Sequence, residues 1–346
     1  MHKLAVAETM RASVMSGPYA LETRQVPTPQ VGAGEVRIKV AATGVCGTDL
    51  HLYSGHFDPI YPLIPGHEIA GIVDQVGAGV LDVIEGDAVA LDPVITCGTC
   101  HHCQRGMRHH CVRFSALGVS QAGGFAEYVI APATNVYKVG AMSLEVAAFA
   151  EPLGCVAWGI KRLQPPMASK ALLFGAGPIG LLLMQALLAS GASAVTVIEP
   201  NLERRKLALQ LGAKLALEPH SELTTELRDL EPYGFDVVTE ATGAPKVIAS
   251  LPQYATPGGK ILYYGVAPED ARVEISPYEV FRRDLTILGS FSLRGTVPQA
   301  LEWLSSGRVQ VAPLVTHRLP IEQLRIALEY KDHPGMNGSQ KVLIKP

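Results

Sequence analysis

The stretch KALLFGAGPIGLLLMQALL, residues 170–188, runs an apolar strand, a glycine-rich turn and an apolar helix together without interruption. Gly175, Gly177 and Gly180 fall in GxGxxG spacing between strand and helix. Each answers a separate steric demand: a tight turn, a close approach of backbone to pyrophosphate, and tight packing of strand on helix, with the helix amino terminus aimed at the phosphates. The next apolar strand, AVTVIE, ends in Glu199, where a carboxylate accepts hydrogen bonds from the adenosine ribose hydroxyls. That acid repels a ribose phosphate and favours NAD over NADP, whereas Arg204 and Arg205 just beyond it would suit the phosphate. A glycine turn that merely packs a helix needs no such acid.

Outward from this unit, roughly Leu153 to Gly295, buried strands ALLF, AVTVIE, FDVVTEAT, KILYYGV and LTILGSF alternate with helical stretches such as LERRKLALQLG. That alternation predicts a parallel doubly wound sheet. Before it, from about Arg11 to Pro132, short β-branched runs (VRIKV, IAGIVDQVG, DAVAL, EYVIA) are punctuated by glycine and proline, the pattern of a β-rich domain. After it, helix EQLRIALEY and strand QKVLIKP have the character of the first domain, so the chain is expected to return there. The reading is an α/β two-domain chain: a β-rich domain over residues 1–154, a doubly wound domain over 155–296, and a return over 297–346.

A chain of 346 residues with 48% hydrophobic and 18% charged residues suits two well-cored domains. With 29 basic against 32 acidic residues it offers neither a basic face for nucleic acid nor a polybasic anchor for membranes. The longest apolar run, Ala171 to Ala189, is broken by Gly175, Gly177, Pro178 and Gly180 and does not read as a membrane span. The opening MHKLAVAETM lacks the features of a secretory signal, so a soluble cytoplasmic protein is expected. Residues 1–9 show no pattern that continues into the next strand, which makes Met10 a second candidate start.

Cys97, Cys100, Cys103 and Cys111 lie within fifteen residues, in a lobe of about residues 92–115. Two-residue spacers turn successive sulfurs inward and the seven-residue spacer closes the loop, a spacing that suits structural zinc. Four thiolates complete the coordination and leave no position for substrate, so this site holds a lobe together. Two disulfides would need an oxidising compartment, and an iron–sulfur cluster would need an electron-transfer context. His102, His109 and His110 crowd the lobe and are read as solvated loop residues.

A second metal set lies upstream. Cys46 in GVCGTDLH and His67 in PGHE supply a thiolate and an imidazole, which join a carboxylate, Glu68 or Glu151, in a mixed-ligand site with an open position for a substrate oxygen. Thr48 and His51 offer a hydroxyl and then an imidazole as a path for the released proton, and Asp49 is a candidate partner for His67. Tyr53 and Phe57 are candidate pocket residues, although aromatic packing is the commoner role.

GVCGTDLH, GHEIAGIVDQVG, EGDAV, the four-cysteine lobe, GGFAEYV, AEPLGC and GAGPIG together resemble, in family order and over nearly the whole chain, the zinc-dependent medium-chain alcohol dehydrogenases. The resemblance implies a GroES-like catalytic domain followed by a Rossmann domain. It also implies two zinc ions per chain, one held by Cys46, His67 and a carboxylate and one by the four cysteines. Further implications are a relay through Thr48 and His51, and nucleotide contacts at Pro178, Ile179, Glu199 and Arg204. Homo-oligomers, dimers or tetramers, are frequent in the family, with LTILGSF a candidate contact strand. Glu68 after His67, together with Glu151, resembles the polyol and threonine dehydrogenase branch. Sorbitol-type members carry an Arg-Tyr pair where this chain has Ser292 and Leu293, which points to a different sugar alcohol. The expected activity is NAD-dependent oxidation of a secondary alcohol of a small polyol to a ketose. The alternatives are an L-threonine 3-dehydrogenase-like enzyme and a nucleotide-binding regulatory protein that has lost its chemistry.

Overall fold

The computed structural model describes residues 7–333 and 338–346. The chain divides into two units: residues up to Gly154 with Val297–Ser305 and Val311–Pro346, and Cys155–Thr296 with Ser306–Gln310.

The first unit opens on a hairpin of β1 (Thr9–Gly17) and β2 (Ala20–Pro27). Thr9 already pairs with Pro27, and the carbonyls of Ala7 and Glu8 accept hydrogen bonds from Thr28. Residues 7–9 therefore continue into the strand, contrary to the expectation for 1–9; residues 1–6 lie outside the described residues. β3 (Glu35–Gly44) pairs antiparallel with β4 (Glu68–Val76), which pairs with β5 (Ala88–Leu91). A two-stranded ribbon, β6 (Val94–Ile95) with β7 (Ser115–Ala116), flanks the cysteine lobe. β8 (Tyr128–Pro132) adds to β3, and β9 (Val136–Lys138) adds to β5. Val36, Ile38, Val40, Ile69, Val73 and Val89 from these strands bury one continuous apolar cluster.

The register of β3 on β4 sets Gly44 opposite Glu68. Thus the turn leaving β3, which carries Cys46, and the turn entering β4, which carries His67, meet at the same end of the sheet. A strand pair brings together two segments twenty residues apart in sequence.

The second unit is an all-parallel six-stranded sheet of β10 (Lys170–Phe174), β11 (Ala194–Ile198), β12 (Leu215–Leu217), β13 (Phe235–Glu240), β14 (Ala255–Tyr263) and β15 (Thr286–Gly289). Their spatial order is β12-β11-β10-β13-β14-β15. The chain walks outward from β10 to β12 and then jumps back past β10 to β13, so the order reverses between β10 and β13, the crevice where doubly wound sheets bind nucleotides. Leu172, Ile198, Phe235, Val238 and Ile261 share one buried cluster, as the unbroken apolar strands predict for a sheet covered on both faces. Ser306–Gln310 belongs with this unit, unlike the expected uninterrupted return over 297–346. The buried Gln185 accounts for it, because its amide donates to the Gln310 carbonyl (3.1 Å) and accepts the Gln310 N–H (2.7 Å).

On its return to the first unit the chain forms β16 (Val315–Pro320) and β17 (Lys341–Lys345), which pair in parallel. β17 also lies antiparallel to β3, with Leu343 opposite Gly44. Ile321, Leu324, Leu328, Val342 and Ile344 pack against Met15, Val45, Leu52 and Phe125, so the returning segment closes a core that the first 130 residues leave open. No helix among the described residues is long and apolar enough to cross a membrane.

Candidate active site and cofactor cradle

Cys46 is the cap residue of the helix Gly47–Tyr53, and its N–H donates to Asp49 Oδ2 at 2.8 Å. Asp49 is fully buried and its other oxygen accepts the Gly66 N–H at 3.2 Å. One carboxylate thus ties the cysteine turn to the turn carrying His67. Gly66 has φ +93° and no room for a side chain against Phe125 and Thr43, so glycine is required there. His67 Nδ1 lies 3.6 Å from Asp49 Oδ1, longer than a hydrogen bond, on the side of the ring that faces this carboxylate.

The donor atoms of Cys46, His67 and Glu68 all lie within 4.8 Å of one another. Glu151, buried in the first turn of the helix Ala150–Leu163, stands outside that group. The residues fit a divalent cation. Thiolate, imidazole and carboxylate are the donor types zinc takes, and Glu68 Oε1 is buried without a hydrogen-bond partner. The electrostatics agree. Burial opposes charging His67, but Asp49 and the Cys46 sulfur outweigh it and hold its pKa well above the ordinary value.

Lys341 has no counterpart in the sequence reading. Its ammonium is buried, forms an ion pair with Glu68 Oε2, donates to the Val45 carbonyl at 3.0 Å and lies 5.9 Å from the centre of the Phe149 ring. Burial lowers its pKa less than Glu68 and Cys46 raise it, so the group stays charged. Gly44 makes room for the pair, since a side chain there would strike both Glu68 and Lys341.

Thr48 Oγ1 lies 3.8 Å from Cys46 Sγ. His51, three residues further along the same helix and so on the same face, is exposed, with Phe57 at 4.7 Å and His56 at 5.9 Å between ring centres. Partial burial, then the positive charges of His56 and Lys331, lower its pKa. Tyr53 packs edge-on against Tyr19, and Phe57 is exposed.

In the cysteine lobe the sulfurs stand 3.5 Å (Cys97–Cys111), 3.9 Å (Cys100–Cys111) and 4.0 Å (Cys97–Cys103) apart. All four are free thiols within one 4.8 Å group. A tetrahedron with zinc–sulfur bonds of about 2.3 Å has edges of about 3.8 Å, so the spacing fits that ion and is far too long for disulfides. Backbone N–H groups of Thr99 and Cys100 pull the Cys97 thiol down to about 5, whereas burial and its neighbours push Cys103 up to about 11. His109 is buried, against the expectation of a solvated residue; it packs within the lobe with its ring 4.1 Å from that of His110.

In the second unit Gly175 has φ +98°, and a side chain on Gly180 would strike the Gly175 carbonyl, while Gly177, the cap of the helix Pro178–Ala189, faces open space. A turn with room above its middle glycine and a helix amino terminus behind it fits a pyrophosphate. Glu199, buried at the end of β11, accepts N–H groups from Ala176 (2.7 Å) and Asn201 (3.0 Å) and so braces the same turn. Arg205 is committed elsewhere, to the Glu199 and Pro200 carbonyls and to Glu218. Arg204, whose Nε is buried without a hydrogen-bond partner, is the arginine left at this end of the strand.

Two family models match the chain: the alcohol dehydrogenase GroES-like domain over residues 32–141 and the zinc-binding dehydrogenase over residues 178–306. The chain belongs to the zinc-dependent medium-chain dehydrogenase/reductase family, and its GroES-like and Rossmann units are those of that family. It is 38% identical to D-altritol 5-dehydrogenase of Agrobacterium fabrum over 87% of this chain and 89% of that protein. It is 37% identical to L-threonine 3-dehydrogenase of Pyrococcus abyssi over 90% and 92%. Among solved structures, a zinc-binding dehydrogenase from Sinorhizobium meliloti bound to NADP superposes with TM-score 0.93 at 30% identity, over 98% of this chain and all of that one. An Escherichia coli CFT073 alcohol dehydrogenase complexed with NADH follows at TM-score 0.92, 30% identity and the same coverage. These relatives are dehydrogenases, and the reading of the chain as a regulatory protein without chemistry is set aside.

Removing one member of a buried ion pair costs about 3–5 kcal/mol, because the partner charge is left alone. Lys341→Met should therefore lower the melting temperature of the metal-stripped protein far more than that of the zinc-loaded protein, in which the ion supplies the missing positive charge. Thermal unfolding of both forms measures the difference.

Proposed function

We propose that the chain oxidises a secondary alcohol of a small polyol to a ketone, using zinc at Cys46, His67 and a carboxylate, and NAD. The observation that carries this reading is the three-donor group itself. Cys46, His67 and Glu68 converge within 4.8 Å beside the Thr48 hydroxyl, whereas the cysteine lobe offers four donors and no room. Three protein donors leave a tetrahedral ion one position for a substrate oxygen. Glu68 stands as the third donor in the arrangement described, with Lys341 competing for it and Glu151 as the exchanging carboxylate.

Bound at this centre, zinc supplies polarisation of the substrate hydroxyl and the dinucleotide supplies the hydride acceptor. Thr48 Oγ1 accepts the hydroxyl proton and passes its own to the His51 ring, which releases it at the exposed end of the helix. Asp49 holds the loop of Cys46 and the loop of His67 in register, and its carboxylate beside Nδ1 leaves Nε2 of His67 for the ion. In the cofactor cradle the buried Glu199 favours a ribose hydroxyl over a ribose phosphate, and the engagement of Arg205 removes one of the two cations that would welcome the phosphate. The polyol substrate is supported by the altritol dehydrogenase relative. An L-threonine 3-dehydrogenase-like activity is the second reading, supported by the Pyrococcus relative at 37% identity. The four cysteines hold a second, structural zinc, the protein works in the cytoplasm, and it assembles as a homo-oligomer, dimer or tetramer, for which β15 at the sheet edge is the contact strand.

The zinc-loaded protein should reduce NAD with at least one C4–C6 sugar alcohol in a spectrophotometric panel. Turnover of L-threonine with none of any polyol moves the assignment to the second reading. Cys46→Ala should abolish turnover with little change in melting temperature, and Cys100→Ala should lower the melting temperature, because loss of a structural ligand leaves clustered thiolates without their ion; equal melting shifts from both would contradict this division. Because the His51 pKa is lowered from 6.5, the ring is a neutral proton acceptor at pH 7. Oxidation should fall only as pH drops through a value below 6.5, where the ring takes up a proton. His51→Gln should cost about 10²-fold in kcat near neutrality and recover at alkaline pH, where hydroxide replaces the ring as proton acceptor.

A further inference from the structure

Glu240, the last residue of β13, has no solvent-exposed surface, yet among the described residues no cation forms an ion pair with it. It is filled instead by hydrogen-bond donors from two different loops. Oε2 accepts the Thr242 N–H (2.8 Å), the Thr242 hydroxyl (2.9 Å) and the Gly243 N–H (2.8 Å), all from the loop after β13. Oε1 accepts the N–H groups of Tyr264 (3.2 Å) and Gly265 (2.8 Å), from the loop after β14. One carboxylate thus takes five donors and joins the two loops.

The glycines show how tightly the joint is made. Gly243 has φ +66°, and a side chain there would strike the Val266 carbonyl; one on Gly265 would strike the Gly243 nitrogen and Glu240 itself. The joint also reaches the phosphate turn. The Ala241 N–H donates to the Phe174 carbonyl at 2.8 Å, immediately before Gly175, and a side chain on Gly175 would press on the Thr242 methyl. Both loops reach the surface: Thr242 is exposed, and Val266 is 76% exposed, at the carboxyl ends of the strands.

A dinucleotide lies across the point where strand order reverses, with one mononucleotide over each half of the sheet. Here the adenosine half belongs to β10 and β11, which carry the glycine turn and Glu199. The nicotinamide half is left with β13 and β14, whose loops Glu240 clips together.

We propose that Glu240 is a positioning residue for the nicotinamide half of the cofactor: it holds the loops Ala241–Ala244 and Tyr264–Val266 in the shape that receives the ring, and it does not touch the ring itself. This rests on the reading of the second unit as a dinucleotide site. The consequence is specific. Loosening the clip should weaken ligands that reach β13 and β14 and spare those that stop at β11.

The test compares NADH (or NADPH, if wild type prefers it) with 5′-AMP, by fluorescence and calorimetry on the full chain. In Glu240→Gln, which sets an amide N–H against backbone donors, the Kd for the dinucleotide should rise tenfold or more while that for 5′-AMP stays within twofold. Thr242→Val changes an exposed side chain and removes one donor; it should show the same split at about threefold, and it decides the matter if Glu240→Gln does not fold. Parallel changes for both ligands, or no change for either, overturn the proposal, since a merely structural residue would not separate the halves. A wild-type chain that binds neither dinucleotide overturns the reading of the site on which the proposal rests.

Discussion

The carboxylate of Asp49 is the constraint on which the first unit's chemistry depends. Fully buried, it accepts N–H groups from Cys46 and Gly66, so the turn leaving β3 and the turn entering β4 are pinned to one anion. The side chains those turns carry, a thiol and an imidazole, then have no freedom to separate. Its charge has a second effect, because a buried anion among a cysteine and another carboxylate creates a negative potential that calls for positive charge. His67 and Lys341 answer it: against the opposing effect of burial, Asp49 is the main cause that raises the pKa of His67, while Glu68 and Cys46 chiefly raise that of Lys341.

The second unit solves the same problem by other means. Glu199 and Glu240 are both buried carboxylates at the ends of parallel strands, and both are met by backbone N–H groups. Such hydrogen bonds stabilise an anion almost as a cation would, and they fix loop shape in the process. The contrast follows from the ligands. A site for a metal ion keeps donors poor in hydrogen bonds, while a site for a nucleotide needs rigid backbone and spends its acids on holding it.

Much of this was legible in the residues, for reasons that can be named. The glycine turn at 175–180 is readable because steric exclusion acts locally: whatever the rest of the chain does, a side chain on Gly180 meets the Gly175 carbonyl. The cysteine lobe is equally local, its four cysteines falling within one short loop. Cys46 and His67 could be paired from their donor chemistry, but what makes them meet, the register of β3 and β4, is not visible in the residues. Lys341 was not legible at all. A lysine beginning a terminal strand looks like a solvated residue, and only the pairing of β17 with β3 turns it inward. Glu240 was hidden for a related reason, because four of its five donors are backbone N–H groups, from two loops about twenty residues apart, and leave no trace in composition. His109 was misjudged on exposure, which packing decides and spacing does not reveal.

The ammonium of Lys341 and the carbonyl of Val45 it binds are 296 residues apart. A contact of that separation forms late, because the stretch between the two residues must be made and the intervening unit must collapse before the ends of the loop meet. On the ribosome, Cys46, His67 and Glu68 emerge together, long before their lysine. For that interval Glu68 is without the ammonium that later pairs with it, so the order of synthesis leaves this carboxylate open to a metal ion before β17 docks on β3.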